Sequence, residues 1–218
     1  MSHPQYRAAI FDLDGVIADT ARFHFVAWQR LAKEEGFAIP HVVDDRVKGV
    51  DRMASLNIVL EYTDRGYSQA EKDALAARKN GYYVELIKAL TPADLLPGAG
   101  EVLHTLRAAK VPVGLASASK NAVPVLQALG VLDDFDYIVD AATVTNGKPD
   151  PEIFLKAAHA LGVDPSLCVG FEDAPAGVTS ILSAGMFAVG IGEKDLLADA
   201  HEVFPSLADV SLARYFQL

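Results

Sequence analysis

Five short apolar runs bounded by turn residues restrict most strongly how this chain can fold. Several are apolar throughout rather than alternating with polar residues, as in strands buried on both faces of a parallel sheet. The runs occupy residues 8–14, 111–117, 136–141, 167–171 and 187–192. Helical patterns, each followed by a glycine, occupy residues 120–129, 150–161 and 174–184. This alternation predicts an α/β fold with a doubly wound parallel sheet.

A long helical stretch separates the first two apolar runs. Thr20 is placed to cap a helix that continues to about Glu35, where Gly36 ends it. Residues 68–71, SQAE, have capping-box spacing and open a second helical pattern that continues toward Leu90. The simplest account is a helical insertion directly after the first strand.

The insertion divides the chain into two predicted domains. Residues 1–18 and 91–218 form an α/β core, and residues 19–90 form an α-helical cap. Parallel sheets of this kind bind ligands at the carboxyl ends of their strands. A helical unit inserted after the first strand would overhang that edge, so we predict that it acts as a lid.

The composition is that of a globular protein and disfavours several functions. The chain has 218 residues, a formal net charge of −10, 51% hydrophobic residues and 22% charged residues, and so it can bury a sizeable core. Nucleic-acid binding is disfavoured, because it needs clustered Lys and Arg. The single cysteine, Cys168, excludes an intrachain disulfide and suits a reducing compartment.

The sequence has no feature that directs it to a membrane. We find neither the apolar segment of a secretory leader nor a run of about 18 apolar residues that could form a span. No extended apolar stripe is left unassigned. We therefore expect a cytoplasmic monomer that binds neither membranes nor nucleic acid.

Two acidic pairs follow apolar runs. Asp12 and Asp14 are two positions apart, so both side chains leave one face of an extended chain, and Gly15 permits a sharp turn. Such a pair can hold a cation or supply a nucleophile and a proton-transfer group, although an ordinary acidic turn has the same pattern. Glu172 and Asp173 end another run. Because four carboxylates at one sheet edge would repel each other, we predict that Mg²⁺ binds there.

Hydroxyl and cationic side chains follow other apolar runs. Ser117 closes the second run, and then Ser119, Lys120 and Asn121 open the next helix. Hydroxyls, an ammonium group and free helix N–H groups in one place favour an anion site. The alternative is a plain N-cap at Ser119 with Lys120 solvated. Lys148 follows the third run and, taken alone, fits a solvated loop residue.

The predicted cap carries a second group of candidate residues. Thr20, His24 and Trp28 recur every four positions and therefore fall on one helical face near the site. Further candidates are Lys48, Gly49, Arg52 and Ser55 in KGVDRMAS, and Lys79 in ARKNGYY. Arginine suits bidentate contact with phosphate, but each residue alone also fits an ordinary core or solvated helix position.

Together these motifs resemble the haloacid dehalogenase (HAD) superfamily of phosphotransferases over essentially the whole chain. Their order is DxD at strand one, Ser at strand two, Lys before a helix and ED at strand four. The resemblance implies a Rossmann-like core in which Asp12 becomes an aspartyl phosphate and Asp14 is the general acid and base. Ser117 and Lys148 would hold the transferring phosphoryl group. The implied Mg²⁺ ligands are Asp12, the backbone carbonyl of Asp14, Glu172 and Asp173.

The segments DTARFHFVAW, KGVDR, RKN and SASKN resemble the β-phosphoglucomutase family within that superfamily. This implies interconversion of β-glucose 1-phosphate and glucose 6-phosphate through β-glucose 1,6-bisphosphate, which is also the activator. His24 and Lys79 would support Asp14 and the closed cap. The distal phosphate would contact Arg52, Ser119, Lys120 and Asn121. The complete set of implied substrate contacts is Thr20, His24, Trp28, Lys48, Gly49, Arg52, Ser55, Lys79, Ala118, Ser119, Lys120 and Asn121.

Two features depart from that family's pattern, the segment PHVVDDRV, which matches the usual cap sequence poorly, and Asp51. Asp51 stands where Ser is expected, and an anion beside Arg52 is expected to weaken the hold of Arg52 on phosphate. The alternative function is a sugar-phosphate phosphatase, in which water intercepts the aspartyl phosphate on the same core. A non-catalytic sugar-phosphate-binding module is disfavoured, because every residue that the chemistry needs is present.

Overall fold

A six-stranded parallel sheet organises residues 6–218, the part of the chain that the computed structural model describes. The strand order is β3-β2-β1-β4-β5-β6. The strands are β1 (Ala8–Phe11), β2 (Val113–Leu115), β3 (Tyr137–Ile138), β4 (Cys168–Glu172), β5 (Phe187–Ile191) and β6 (Glu202–Phe204). The order reverses at β1, which pairs with β2 on one side and β4 on the other. Ligand sites of open α/β sheets lie outside the strand ends at such a reversal.

Helices cover both faces of the sheet. The core helices are α5 (Ala99–Ala108), α6 (Ala122–Ala128), α7 (Glu152–Ala160) and α8 (Pro175–Ser183). Ala9 and Phe11 of β1 belong to one apolar cluster, whereas Ala8 and Ile10 belong to another, because successive strand residues point to opposite faces. Phe11 also stacks on Phe171 of β4 with ring centroids 4.5 Å apart. Burial on both sides explains why these strands are apolar at every position.

The four helices that directly follow β1 in the chain form the insertion. They are α1 (Ala21–Glu34), α2 (Val42–Val47), α3 (Arg52–Leu60) and α4 (Gln69–Ile87). A third apolar cluster is built largely from their own buried side chains, which include Trp28, Leu31, Leu56, Val59 and Leu75. The insertion therefore has a small core of its own, while the predicted domain bounds at residues 19–90 stay a prediction.

The structure confirms several predicted helix ends and shows how each is stabilised. The Ser68 hydroxyl and the Glu71 carboxylate form the predicted capping box at the start of α4. Gly130, with φ 72°, has the left-handed conformation expected of a glycine after a helix. Thr20 occupies the predicted N-cap position of α1, but its side chain makes no capping hydrogen bond there. The Thr20 hydroxyl instead donates to Asp14.

Strand prediction was less complete. The apolar run at 136–141 contains only the two-residue strand β3, and β6 had no predicted counterpart. All three residues of β6 are only partly buried, so they lack the continuous apolar pattern of the central strands. Within residues 6–218, no helix is both long and apolar enough to cross a membrane.

The Gly98→Ala substitution should destabilise the fold. Gly98 has φ 84°, and an added Cβ would lie 2.1 Å from the backbone nitrogen of Ala208. Strain and overpacking together should lower the free energy of unfolding by about 2 kcal/mol or more, measured by urea denaturation with circular dichroism. Gly66→Ala is the control, because nothing lies within 4 Å of its added Cβ. Equal stabilities of the two variants would contradict the prediction.

Candidate active site

A cleft between the inserted helices and the carboxyl edge of the sheet brings most of the predicted residues together. The cleft combines side chains of the inserted helices with side chains that follow the core strands. Its lining includes the predicted residues Asp12, Asp14, His24, Trp28, Lys48, Gly49, Arg52, Ser55, Lys79, Ser117, Ala118, Ser119, Lys120 and Asp173. Each of the remaining predicted residues forms a hydrogen bond with a residue of this lining: Thr20 with Asp14, Asn121 with Ser119, Lys148 with Asp12 and Glu172 with Asp173.

Three carboxylates form an acidic cluster where β1 and β4 end. Asp12, Glu172 and Asp173 each contribute an oxygen to a group whose members all lie within 4.8 Å of one another. The Nζ atom of Lys148 lies 2.6 Å from Oδ1 of Asp12 and 2.7 Å from Oε2 of Glu172. Lys148 is only 6% exposed. The alternative that it is a solvated loop residue is therefore wrong.

Burial dominates the electrostatics of the acidic cluster. Burial raises the pKa of Asp12 to about 8 against the opposing charge of Lys148. The pKa of Asp173 is also raised well above its ordinary value, by burial and then by the charge of Glu172. Burial alone would lower the pKa of Lys148, but the two carboxylates it contacts raise it. One ammonium group thus leaves the negative charge of the cluster incompletely compensated.

This donor set fits Mg²⁺. The cation prefers carboxylate and carbonyl oxygens, and its charge would compensate the excess negative charge of Asp12, Glu172 and Asp173. Two glycines leave room for the carboxylates. A Cβ on Gly15 would lie 1.9 Å from Oδ2 of Asp173, and a Cβ on Gly177 would lie 2.0 Å from Glu172.

Asp14 lies beside the acidic cluster, and residues of the insertion contact its carboxyl group. The Thr20 hydroxyl donates to Asp14, and the buried Tyr83 hydroxyl donates to Thr20 at 3.3 Å. Nε2 of His24 lies 4.0 Å from Oδ2 of Asp14. Burial raises the pKa of Asp14 to about 6, although the hydrogen bond from Thr20 lowers it. Its carboxyl group can therefore hold or release a proton near neutral pH.

Lys79 joins the same group of side chains. It is 2% exposed, and its Nζ lies 2.6 Å from Nδ1 of His24 and 4.5 Å from the Trp28 ring centroid. Burial, followed by the charge of Arg52, lowers the pKa of Lys79 to about 7. Burial and then Lys79 also lower the pKa of His24 well below its ordinary value. His24 and Trp28 both line the cleft, as their spacing on one helix face predicts.

Arg52 and Asn121 meet on one further residue, Asn80. The Arg52 Nη2 group and the Asn121 Nδ2 group each donate to Oδ1 of Asn80 at 2.8 Å. Near them, Ser119 Oγ accepts from the backbone N–H of Asn121 at 3.2 Å. Asn121, rather than Ser119, is the residue that immediately precedes α6.

Asp51 has a structural partner that the sequence did not reveal. Its Oδ1 accepts hydrogen bonds from the backbone N–H groups of Met53 at 2.8 Å and Ala54 at 3.1 Å. Asp51 thus caps α3. Within residues 6–218, no carboxylate lies within 4.0 Å of the Arg52 guanidinium. Asp51 therefore caps α3 without forming an ion pair with Arg52, and its weakening effect on phosphate binding stays a prediction.

The structure also adds residues that sequence reasoning missed. Ala21, Asp44, Val47 and Val50 line the cleft. Apolar side chains in a short helix carry no signal that separates a cleft wall from a core. Asn80 belongs to the RKN segment that the sequence singled out, but its role depends on how α4 packs against the core.

The comparisons with known proteins agree with this geometry. A family model described as haloacid dehalogenase-like hydrolase matches residues 6–185. The chain belongs to this haloacid dehalogenase-like family. The match spans both the acidic cluster and the inserted helices.

Several HAD relatives are similar along nearly their whole length. The β-phosphoglucomutase of Bacillus subtilis is 46% identical over 208 residues, covering 94% of this chain and 92% of that protein. A crystal structure of β-phosphoglucomutase from Clostridium difficile has a TM-score of 0.93 and 44% identity, covering 96% of this chain and 95% of its own. The validoxylamine A 7′-phosphate phosphatase of Streptomyces hygroscopicus subsp. limoneus is 32% identical over 219 residues, covering 94% of this chain and 96% of that protein.

The Gly15→Ala substitution should weaken Mg²⁺ binding to this HAD chain. Its Cβ would overlap Asp173 and displace a carboxylate from the acidic cluster. We expect at least a roughly tenfold loss of Mg²⁺ affinity in isothermal titration calorimetry, as for other changes next to metal ligands.

Gly36→Ala is the matched control. Gly36 has a similar positive φ of 86°, but nothing lies within 4 Å of an added Cβ. This variant shares the backbone strain and leaves the cluster untouched. If both variants bound Mg²⁺ equally well, the proposed role of Gly15 would be refuted.

Proposed function

We propose that the protein is a Mg²⁺-dependent β-phosphoglucomutase, an isomerase that interconverts β-glucose 1-phosphate and glucose 6-phosphate. The observation that carries this proposal is the composition of the cleft. One cleft holds both an acidic cluster suited to phosphoryl transfer and a separate cation, Arg52, whose guanidinium has no carboxylate partner within residues 6–218. The 46% identity to a β-phosphoglucomutase over 94% of the chain supports it.

Asp12 is the nucleophile of the proposed reaction. One of its carboxylate oxygens attacks the phosphorus of a phosphorylated donor, and the bond between phosphorus and the donor oxygen breaks. The product is an aspartyl phosphate on Asp12. When bound, Mg²⁺ neutralises charge on the carboxylates and on the transferring phosphoryl group. Lys148 contributes a second positive charge beside Asp12, and Ser117 donates a hydrogen bond to a phosphoryl oxygen.

Asp14 moves the proton in both directions. In the neutral form it protonates the leaving oxygen, and in the ionised form it accepts the proton of the attacking sugar hydroxyl. Its pKa of about 6 makes both forms accessible near neutral pH. Thr20 and His24 orient the carboxyl group from the side of the inserted helices.

The sugar must bind in two orientations for isomerisation. The aspartyl phosphate is transferred to one end of the sugar, β-glucose 1,6-bisphosphate reorients, and Asp12 then takes the phosphate from the other end. In each orientation the non-reacting phosphate would contact Arg52, Ser119, Lys120 and Asn121. Binding energy from this remote phosphate holds the cap, residues 19–90, over the site and favours a sugar hydroxyl over water as acceptor.

The wider setting follows from the same proposal. β-Glucose 1,6-bisphosphate is the activator, because it phosphorylates Asp12 before the first turnover. The partners are small sugar phosphates, and we propose a cytoplasmic monomer. The single cysteine, Cys168, is buried, and burial raises its pKa to about 12, so its thiol is inert in this scheme.

A sugar-phosphate phosphatase is the second candidate. The similarity to a validoxylamine A 7′-phosphate phosphatase over 94% of the chain favours it, since both activities use the same core. The two candidates differ in the acceptor: a sugar hydroxyl attacks the aspartyl phosphate in the mutase, and water attacks it in the phosphatase.

Time-resolved ³¹P NMR separates the two candidates. The protein, Mg²⁺, β-glucose 1-phosphate and a trace of β-glucose 1,6-bisphosphate should give glucose 6-phosphate without a stoichiometric release of inorganic phosphate. Inorganic phosphate as the main product would assign the phosphatase instead. Chelation of Mg²⁺ should abolish either reaction, because the carboxylates then repel the incoming phosphate.

The Asp12→Asn substitution tests the covalent step. An amide of nearly the same shape cannot attack phosphorus, so turnover should fall by at least roughly 1,000-fold. Intact-mass spectrometry should show a phosphorylated parent protein and an unphosphorylated variant. Undiminished turnover would refute the aspartyl phosphate mechanism.

The Arg52→Ala substitution tests the remote phosphate site. Loss of a charged hydrogen bond to phosphate should reduce mutase kcat/KM by roughly 10- to 100-fold. Hydrolysis of acetyl phosphate should fall by a smaller factor, because this acyl phosphate has no second phosphate group for Arg52 to bind. Arg46→Ala, which removes an exposed arginine paired with Glu61 at 2.8 Å, is the control. Equal losses in both reactions would contradict the role of Arg52.

A further inference from the structure

The amide oxygen of Asn80 links three separate parts of the fold. Asn80 lies in α4, Arg52 is the first residue of α3, and Asn121 precedes α6 of the core. Both partners donate to the same Oδ1 atom at 2.8 Å. One neutral acceptor therefore connects two inserted helices with the core at the wall of the cleft.

The acceptor is neutral although one of its donors is charged. Arg52 is half-buried, and burial lowers the pKa of its guanidinium. A carboxylate at position 80 would neutralise Arg52 and form a stronger, charge-assisted hydrogen bond. The carboxamide of Asn80 holds the guanidinium in place and leaves its positive charge available to an anion.

The two donors are the same side chains that the proposed function assigns to the distal phosphate. Ordering a free arginine at the moment of binding would cost side-chain entropy. Arg52 and Asn121 are already ordered by Asn80, so much of that cost is met when the protein folds. A phosphate dianion is a stronger acceptor than an amide oxygen and would draw both donors toward itself.

We propose that Asn80 is a positioning residue that holds Arg52 and Asn121 ready for the distal phosphate and keeps the inserted helices against the core. The proposal rests on the proposed function, because it concerns the same phosphate subsite. It adds a residue that need not contact the phosphate and acts through its two donors.

The Asn80→Ala and Asn80→Asp variants separate this role from a merely structural one. Asn80→Ala removes the acceptor, so the affinity for glucose 6-phosphate should fall roughly threefold to tenfold, the equivalent of one neutral hydrogen bond. Asn80→Asp keeps the shape and adds a charge that binds Arg52 and repels phosphate. Its affinity should fall by at least roughly tenfold while its melting temperature is maintained.

Isothermal titration calorimetry with glucose 6-phosphate in the presence of Mg²⁺ measures these affinities. Asn57→Ala is the matched control. Asn57 is an exposed asparagine within α3 of the insertion, and it also accepts a hydrogen bond, from Lys72 at 2.8 Å. The control should bind like the parent protein. For Asn80→Ala, KM for the sugar phosphate should rise more than kcat falls.

A double-mutant cycle with Arg52→Ala supplies the decisive measurement. Because Asn80 acts in part through Arg52, Asn80→Ala should cost less affinity in the Arg52→Ala background than in the parent protein, with the remaining loss due to Asn121. Fully additive losses, or unchanged binding by Asn80→Ala, would overturn the proposal. If Asn80→Ala does not fold, Asn80→Asp decides, and undiminished binding by that variant would also overturn it.

Calorimetry and the isomerisation assay together distinguish this proposal from the function on which it rests. A parent protein that binds glucose 6-phosphate but fails to isomerise β-glucose 1-phosphate would refute the mutase while the binding cycle still decides the role of Asn80. A parent protein that binds neither glucose 6-phosphate nor inorganic phosphate would refute the positioning role itself.

Discussion

The crowding of carboxylates around Lys148 is the constraint on which the rest of the structure depends. Asp12 and Glu172 approach one another closely enough to share a single ammonium group, which contacts them at 2.6 and 2.7 Å. Buried charges of one sign are costly unless they are paired. The two glycines beside the cluster leave room for these groups at one edge, and their excess negative charge suits a divalent cation.

The inserted helices place further polar and charged side chains beside that edge of the sheet. They supply the groups that contact Asp14 and also the arginine that faces the cleft. The proposed acid–base chemistry and the proposed anion binding therefore depend on the same packing of α1, α3 and α4 against the core. A phosphatase and a mutase can share the acidic cluster and differ only in how this packing excludes water.

The sequence predicted the features that are encoded locally. The strand β1 and the acidic pair that follows it are adjacent in the chain, so a hydrophobic run ending in DxDG was sufficient to find them. The capping box at Ser68 is equally local. The short strand β6 was missed because its half-buried residues at the sheet margin lack a continuous apolar pattern.

Contacts between distant segments were beyond sequence reasoning. Thr20 precedes α1 as predicted, but its hydroxyl donates to Asp14 and makes no capping hydrogen bond to the helix backbone. The capping role of Asp51, whose carboxylate accepts hydrogen bonds from two backbone N–H groups, was not predicted. The meeting of Arg52 and Asn121 on Asn80 requires three helices to be packed first. Such contacts depend on tertiary geometry, which periodicity and spacing do not specify.

The central position of β1 has a consequence for biosynthesis. Both neighbours of this strand come from much later in the chain, and the Lys148 partner of Asp12 lies 136 positions away. During translation the first strand is made early but cannot gain its β4 edge until residue 172 has left the ribosome. The nascent chain therefore carries an unpaired apolar strand for most of its synthesis, a state that favours chaperone binding and slow, late completion of the sheet.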